Sequence, residues 1–418
     1  MTSEGEEDLG KAATGMTRRQ AVIAIAASAL APGQARAATP AGTIDAALHA
    51  AVDAKSIPGV VAMAADKNGV LYHGAFGVSD LATGRALRED DLFRIASMTK
   101  AVTSVAAMQL IEQGKFALDD PVQNYLPQFA SVPKFASFDT VTGAYSLQPA
   151  TNAVTVRHLF THTSGIGYNF TSPILRDFKP REGETYPVGP LLFEPGERWI
   201  YGESLDQGLG KLIEKISGQS LEDYFREHIF TPLGLAETFY NVPPEKAARL
   251  VPVHRRQSEG TIAKGPNPPN PIVPQPTGGG GLASTAADYI RFTRMILNNG
   301  ALDDARILKA DSVAAMARNQ IGALGVAALK TAMPERSADF TFVADGRDKW
   351  GLGFLITADS VPGKRAAGSL GWGGINNTYF WIDRERERSG VILMQFLPFA
   401  DPKALALYDA FERGVYRL

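Results

Sequence analysis

The segment TIDAALHAAVDAKSI places apolar residues at helical spacing, and GVVAMAADKNGVLYHGAFGVSD after it forms two strand-like runs joined by Lys67-Asn68-Gly69. Together they predict a helix feeding a hairpin. From Ser97 to Gly114 the apolar positions Val102, Val105, Met108 and Ile111, with their neighbours, predict a core helix buried on several sides and stopped at Gly114. DQGLGKLIEKISG and SLEDYFREHIF carry further helix signals, and AADYIRFTRMILNNG predicts a helix that stops at Asn298-Asn299-Gly300. Between about residues 118 and 284 these helices are broken by LPQFASVPKFASFDT, YNFTSPILRDFKPREGETYPVGP and KGPNPPNPIVPQP. Long loops of this kind line binding sites or simply decorate the surface. The carboxyl end returns to strands in WGLGFLIT, RAAGSLGWGG, NTYFWIDR and GVILMQFL, with RERERSG as a charged hairpin tip and DPKALALYDAFERGVYRL as a closing helix.

Strands at both ends with helices between them predict an α/β (α+β) fold. One antiparallel sheet is formed by both chain ends, with helices on its faces and a mostly helical domain inserted in the middle. The boundaries read as 40–120 and 285–418 for the α/β sandwich domain and 121–284 for the insertion with its pocket loops. With 418 residues, 45% of them hydrophobic, the chain can bury a large core. A formal net charge of -2 offers no basic excess to neutralise phosphates, so nucleic acid is not an expected partner and a small neutral or mildly polar molecule is. The absence of cysteine removes disulfides, thiolate metal sites and cysteine nucleophiles together.

The amino terminus changes the expected location. Arg18 and Arg19 precede an apolar run from Ala21 to Ala31 and then Ala35-Arg36-Ala37, a small-x-small cleavage pattern. We read residues 1–37 as a twin-arginine export signal, the mature chain starting near Ala38 in a periplasm or outside the cell. The run is too short for a stable membrane anchor. The acidic stretch SEGEEDLG is wrong for a basic leader, whereas a start at Met16 gives a compact one.

Candidate chemistry begins with RIASMTKAVTS. On a helix, residues three apart share a face, so Ser97 and Lys100 stand one turn apart with hydroxyl and amine in reach. An amine withdrawn from water can accept a hydroxyl proton, and a helix amino terminus favours a developing oxyanion. The spacing alone leaves two readings open, Ser97 as the helix cap or as a nucleophile beside its base. Ser131-Val132-Pro133-Lys134 repeats the spacing, but Pro133 disfavours helical geometry at Val132. In FEPGERWIYGESLDQGLG, Tyr201 is placed to shuttle a proton if it meets a lysine, although taken alone it reads as a packing residue. In GSLGWGGINNTYF, Gly371, Gly373 and Gly374 flank Trp372, which fits close backbone approach to a ligand and equally a bulge or tight turn. No Gly-x-Ser-x-Gly elbow is present, none of the six histidines lies in a His-Glu-x-x-His pattern, and His162 reads as structural. TGGGGL lacks the lysine of a phosphate-binding loop. No metal and no cofactor is expected.

LFRIASMTKAVTSVAAMQLIEQGK, LDDPVQNYLP, TVRHLFTHTSGIGY, FEPGERWIYGESLDQGLG, TGGGGLASTAADYIRF and GWGGINNTYFWID, in this order, resemble the serine β-lactamase-like hydrolases related to class C β-lactamases and penicillin-binding proteins, and within them the family VIII carboxylesterases. The resemblance implies Ser97 as nucleophile, Lys100 as activating base, Tyr201 as proton shuttle, and the backbone N–H groups of Ser97 and Ile375 as the oxyanion hole. It also implies substrate contacts at Glu203, Trp372, Gly373 and Gly374. Where β-lactamases carry Tyr-x-Asn, this chain has Tyr201-Gly202-Glu203; where they carry Lys-Thr-Gly, it has Trp372-Gly373-Gly374. Both departures remove groups expected to meet a β-lactam or a free carboxylate, and the second is common among esterases of the family. The expectation is a serine hydrolase that cleaves small carboxylic esters through an acyl-enzyme. The alternatives are an amide-bond hydrolase of the same fold (a peptidase, an amidase or a weak β-lactamase) and a non-catalytic binding protein.

Overall fold

A computed structural model describes residues 39–265, 270–341 and 346–418; the export-signal reading of residues 1–37 falls outside them. Eight strands form the main sheet: β1 (Gly59–Ala65), β2 (Val70–Asp80), β3 (Arg85–Ala86), β4 (Lys349–Trp350), β5 (Leu355–Ile356), β6 (Leu370–Gly374), β7 (Thr378–Asp383) and β8 (Arg388–Leu393). Their spatial order is β4-β5-β6-β7-β8-β1-β2-β3, with every neighbouring pair antiparallel. The two chain ends meet where Val61 pairs with Leu393 and Ala65 with Ser389. This is the antiparallel sheet from both termini that the strand pattern predicts.

The central strands read as continuous apolar runs because both faces of the sheet are covered. On β7, Phe380 turns to one face and packs 5.2 Å from the Tyr289 ring, while Trp381 turns to the other and packs 5.5 Å from Phe411. Tyr289 belongs to α3 (Ala286–Leu297) and Phe411 to α4 (Pro402–Val415), and α4 packs against α1 (Pro40–Asp53). Their first turns are closed by side chains: Thr39 Oγ1 accepts from Gly42 N, Thr285 Oγ1 from Asp288 N and Asp401 Oδ1 from Lys403 N. The helix α2 (Thr99–Glu112) buries polar Thr99, Lys100, Thr103 and Ser104 along with its apolar residues, and the chain leaves it at Gly114 with a positive φ of 69°. Lys100 and Thr103 find acceptors inside the protein. Thr103 donates to the Gly278 carbonyl at 2.7 Å.

Between α2 and α3 the chain forms short helices that share one hydrophobic core with the sheet, through residues such as Leu205, Leu209 and Ile229. One predicted loop is instead a hairpin: Pro133–Phe138 pairs with Tyr145–Pro149. Its prolines are tolerated because they sit opposite each other at the end of the ladder. The Asp139 carboxylate accepts from the Val141 and Thr142 N–H groups to close the turn. Lys134 is therefore a strand residue, bound to Glu194 at 2.8 Å, and has no helical face to share with Ser131. The DQGLGKLIEKISG helix starts with a π-helical turn at Leu205–Leu209, and only Gly210–Ser217 is α-helical.

Candidate active site

Ser97 is half-buried in a 3-10 turn, Ala96–Met98, that leads directly into α2. The turn is strained at its entry, because Ala96 has a left-handed φ of 46° that a residue with a Cβ seldom adopts. Surrounding elements hold it there: Ile95 N donates to Leu282 O at 3.0 Å, Tyr289 Oη to Met98 O at 2.9 Å, and Asn376 Nδ2 to Arg94 O at 3.1 Å. The cap reading of Ser97 is thereby corrected. The residue preceding α2 is Met98, no side chain caps that helix, and Ser97 lies one residue further out in the tighter turn. Such a turn eclipses residues three apart, which brings Ser97 Oγ to 3.4 Å from Lys100 Nζ.

Lys100 is 1% exposed, and its amine reaches three oxygens: Ser97 Oγ, Tyr168 Oη at 3.0 Å and the Gly279 carbonyl at 2.6 Å. Tyr201 presents its ring to the same amine, 5.0 Å from Nζ to the centroid, while its hydroxyl accepts from Trp372 Nε1 at 3.4 Å. Ser97, Lys100, Tyr201 and Trp372 are therefore one cluster, although the tyrosine hydroxyl in hydrogen-bond contact with the lysine is that of Tyr168. The sheet register explains how Trp372 and Gly374 arrive: Trp372 pairs with Phe380, so both residues turn to the same face of the sheet, whereas Gly373 turns to the other face beside the Tyr379 ring. Ile375 follows at the end of β6, whose last residue lies against the Ile95 carbonyl. Glu203 is half-buried and bonded to Gln207 Nε2 at 3.0 Å; burial raises its carboxyl pKa above the ordinary value.

His162 is buried among Tyr201, Trp350 and Trp199, with ring centroids 5.0, 5.1 and 6.2 Å away. Its Nδ1 accepts from Gly202 N at 3.4 Å, one residue from Tyr201. Burial first, and the Lys100 charge second, hold its pKa well below the ordinary value, so the ring is neutral. It stands four residues from His158, but His162 leaves the helix with φ 57° while the His158 ring accepts from Thr155 N. Among the described residues no three metal-binding groups cluster.

Two residues near the amine were not singled out by the sequence. Tyr168 Oη donates to Asp206 Oδ2 at 2.8 Å, and Asp206 Oδ1 accepts from Gly279 N at 2.9 Å. Both lie inside stretches that carry the resemblance, THTSGIGY and YGESLDQGLG, so the signal was present without a role attached. Gly279 of TGGGGL owes its place to the same packing, since a Cβ there would fall 1.9 Å from Asp206 Oδ2. A cavity of about 700 Å³ lined by Phe129, Val132, Leu147, Asn152, Tyr186 and Leu191 includes none of these groups.

Comparison with known proteins identifies the family of the chain. The family model described as Beta-lactamase matches residues 44–413. The chain is 33% identical over 366 residues to the acyltransferase calJ of Penicillium decumbens, covering 83% of this chain and 86% of that protein. It is 30% identical over 396 residues to the lovastatin esterase of Penicillium rubens, covering 90% and 98%. The unliganded selenomethionyl structure of simvastatin synthase (LovD) from Aspergillus terreus superposes with a TM-score of 0.77 at 28% identity, covering 91% of this chain and 98% of that one. With a matching family model along most of its length and relatives that are esterases and acyltransferases, this chain belongs to the Beta-lactamase family, among its serine hydrolases and acyltransferases.

Proposed function

We propose that the protein hydrolyses carboxylic esters of small molecules through an acyl-enzyme on Ser97. The observation that carries this reading is the half-buried Ser97 Oγ set 3.4 Å from the buried amine of Lys100. Lys100 takes the hydroxyl proton as Oγ attacks the ester carbonyl, and the N–H groups of Ser97 and Ile375 receive the oxyanion. Tyr201, whose ring lies against Lys100, returns the proton to the departing alcohol, and water then releases the acid. Trp372, Glu203 and the backbone of Gly373 and Gly374 are assigned to the substrate. The lovastatin esterase relative supports ester over amide chemistry, as do Glu203 and Trp372 in place of the asparagine and lysine of β-lactamases.

A second reading has its own support in the acyltransferase calJ: an alcohol in place of water would take the acyl group from Ser97. Purified protein should hydrolyse p-nitrophenyl butyrate, and Ser97→Ala should abolish turnover together with the acyl adduct seen by mass spectrometry. Activity retained in Ser97→Ala would sink the nucleophile. Product partitioning with an added alcohol separates transfer from hydrolysis, and nitrocefin and a peptide amide run in parallel test the amide alternative. Action outside the cytoplasm is proposed from residues 17–37 alone, and the check is a secreted form whose amino terminus is Ala38.

A further inference from the structure

Lys100 is almost fully buried, yet among the described residues no carboxylate stands within ion-pair distance of it. Asp206 is half-buried and has no lysine, arginine or histidine in direct contact among the described residues. A charge withdrawn from water is costly unless it is compensated. Here the two groups lie one phenol apart: Lys100 Nζ to Tyr168 Oη is 3.0 Å and Tyr168 Oη to Asp206 Oδ2 is 2.8 Å. Gly279 closes the ring, its carbonyl accepting from Lys100 at 2.6 Å and its N–H donating to Asp206 at 2.9 Å.

We infer that Tyr168 and Asp206 are positioning residues that aim the Lys100 amine at Ser97 and hold a counter-charge one hydroxyl away from it. The inference rests on the reading of Lys100 as the base for Ser97. A neutral amine has two N–H donors and one lone pair. The two donors are taken by the Gly279 carbonyl and the Tyr168 oxygen, so the lone pair is left for the Ser97 hydroxyl 3.4 Å away. Tyr168 can accept from the amine because its own proton is committed to Asp206. Burial and the neighbouring carboxylate keep that phenol well above its ordinary pKa, so it stays a donor. When the Ser97 proton moves to Nζ and Oγ bonds to the carbonyl carbon, the new ammonium is stabilised by Asp206 through the oriented phenol. A carboxylate in direct contact would instead pair the ammonium before reaction and draw it away from Ser97. The logic is that of a carboxylate behind a histidine base, with a phenol interposed.

Among the described residues, the other titratable groups facing this site are the Tyr201 ring, the neutral His162, and Glu203 on the Lys100 side, with Arg336 over the Phe170 ring and Tyr240 on the Asp206 side. None of them bridges the lysine to Asp206.

The test is Asp206→Asn, which keeps size and an acceptor for Gly279 N but removes the charge. With p-nitrophenyl butyrate we expect kcat to fall at least about tenfold with KM within about twofold, because neither residue is assigned to the substrate. The acid limb of kcat/KM should move to lower pH, since an ammonium without its counter-charge loses its proton more readily. Tyr168→Phe, which keeps the ring stacked 5.0 Å from Phe170, should lose a similar factor, and the double variant should be no worse than either single one. Tyr168→Phe also carries the test if Asp206→Asn does not fold. Folded variants with wild-type kcat and an unmoved pH profile, alongside an inactive Lys100→Ala, would overturn the inference while leaving the base in place. Full activity in Lys100→Ala would remove the base itself, and the inference with it.

Discussion

At Gly374 the space for a side chain is already occupied: a Cβ would lie 2.3 Å from the Ile95 carbonyl, two residues before Ser97. Gly374→Ala must push the end of β6 away from the nucleophile turn. We expect a loss of about 1–3 kcal/mol in urea unfolding, and a fall in kcat larger than that destabilisation explains. Tyr201→Phe is the contrasting change. It keeps the ring against Lys100 and Trp372 and removes only the hydroxyl that accepts from Trp372 Nε1. If Tyr201 returns the proton to the leaving alcohol, kcat should fall about 100-fold or more while the melting temperature stays near that of the wild type. An active Tyr201→Phe beside an inactive Tyr168→Phe would exchange the roles of the two tyrosines. The sequence pointed to Tyr201 through an order of motifs. It could not rank the two phenols, because what distinguishes them is which one the lysine reaches after packing.

Among the elements, the hairpin Pro133–Phe138/Tyr145–Pro149 was the least legible, its prolines and aromatics reading as loop until the pairing is known. Its attachment runs through Glu194, which meets Lys134 at 2.8 Å and accepts from the N–H groups of Thr151 and Asn152. Burial alone would raise the Glu194 pKa, but Lys134, Thr151 and the backbone donors outweigh it and hold the carboxyl down at about 2. A group whose folded pKa is depressed stabilises the fold above its unfolded value and loses that contribution as the pH falls through the folded one. Glu194 therefore contributes fully above about pH 4.5, and the contribution drains away toward pH 2. Glu194→Gln should show a shallower loss of stability between those limits, measured by denaturant unfolding at stepped pH; parallel curves for the two proteins would reject the link. The central strands of the main sheet, by contrast, were legible, because burial on both faces leaves long apolar runs such as TYFWID, whereas WGLGFLIT, which reads as one strand, is split into the short antiparallel pair Lys349–Trp350 and Leu355–Ile356.

For the whole molecule, the carboxyl-terminal helix is fastened by a buried ion pair on the face of the sheet opposite Ser97. Arg365 donates to Glu412 at 2.6 and 3.0 Å and to the Tyr408 hydroxyl at 2.6 Å. Glu412→Ala leaves that guanidinium buried with its charge unpaired and should cost about 3–5 kcal/mol, read from chemical denaturation. Folded Glu412→Ala should keep kcat within about twofold, because nothing in that network touches the nucleophile turn. The sequence by itself determined what depends on short spacings: the longer helices and the central strands, and the approach of Ser97 to Lys100, since three residues of helical turn bring two side chains together wherever the turn sits. Only the tertiary structure decided what surrounds the amine. Tyr168, Asp206 and Gly279 come from three separate segments, and no local period relates them. Their meeting is set by close packing around α2, which leaves the lysine two acceptors and Ser97, and leaves no room at Gly279 for a side chain.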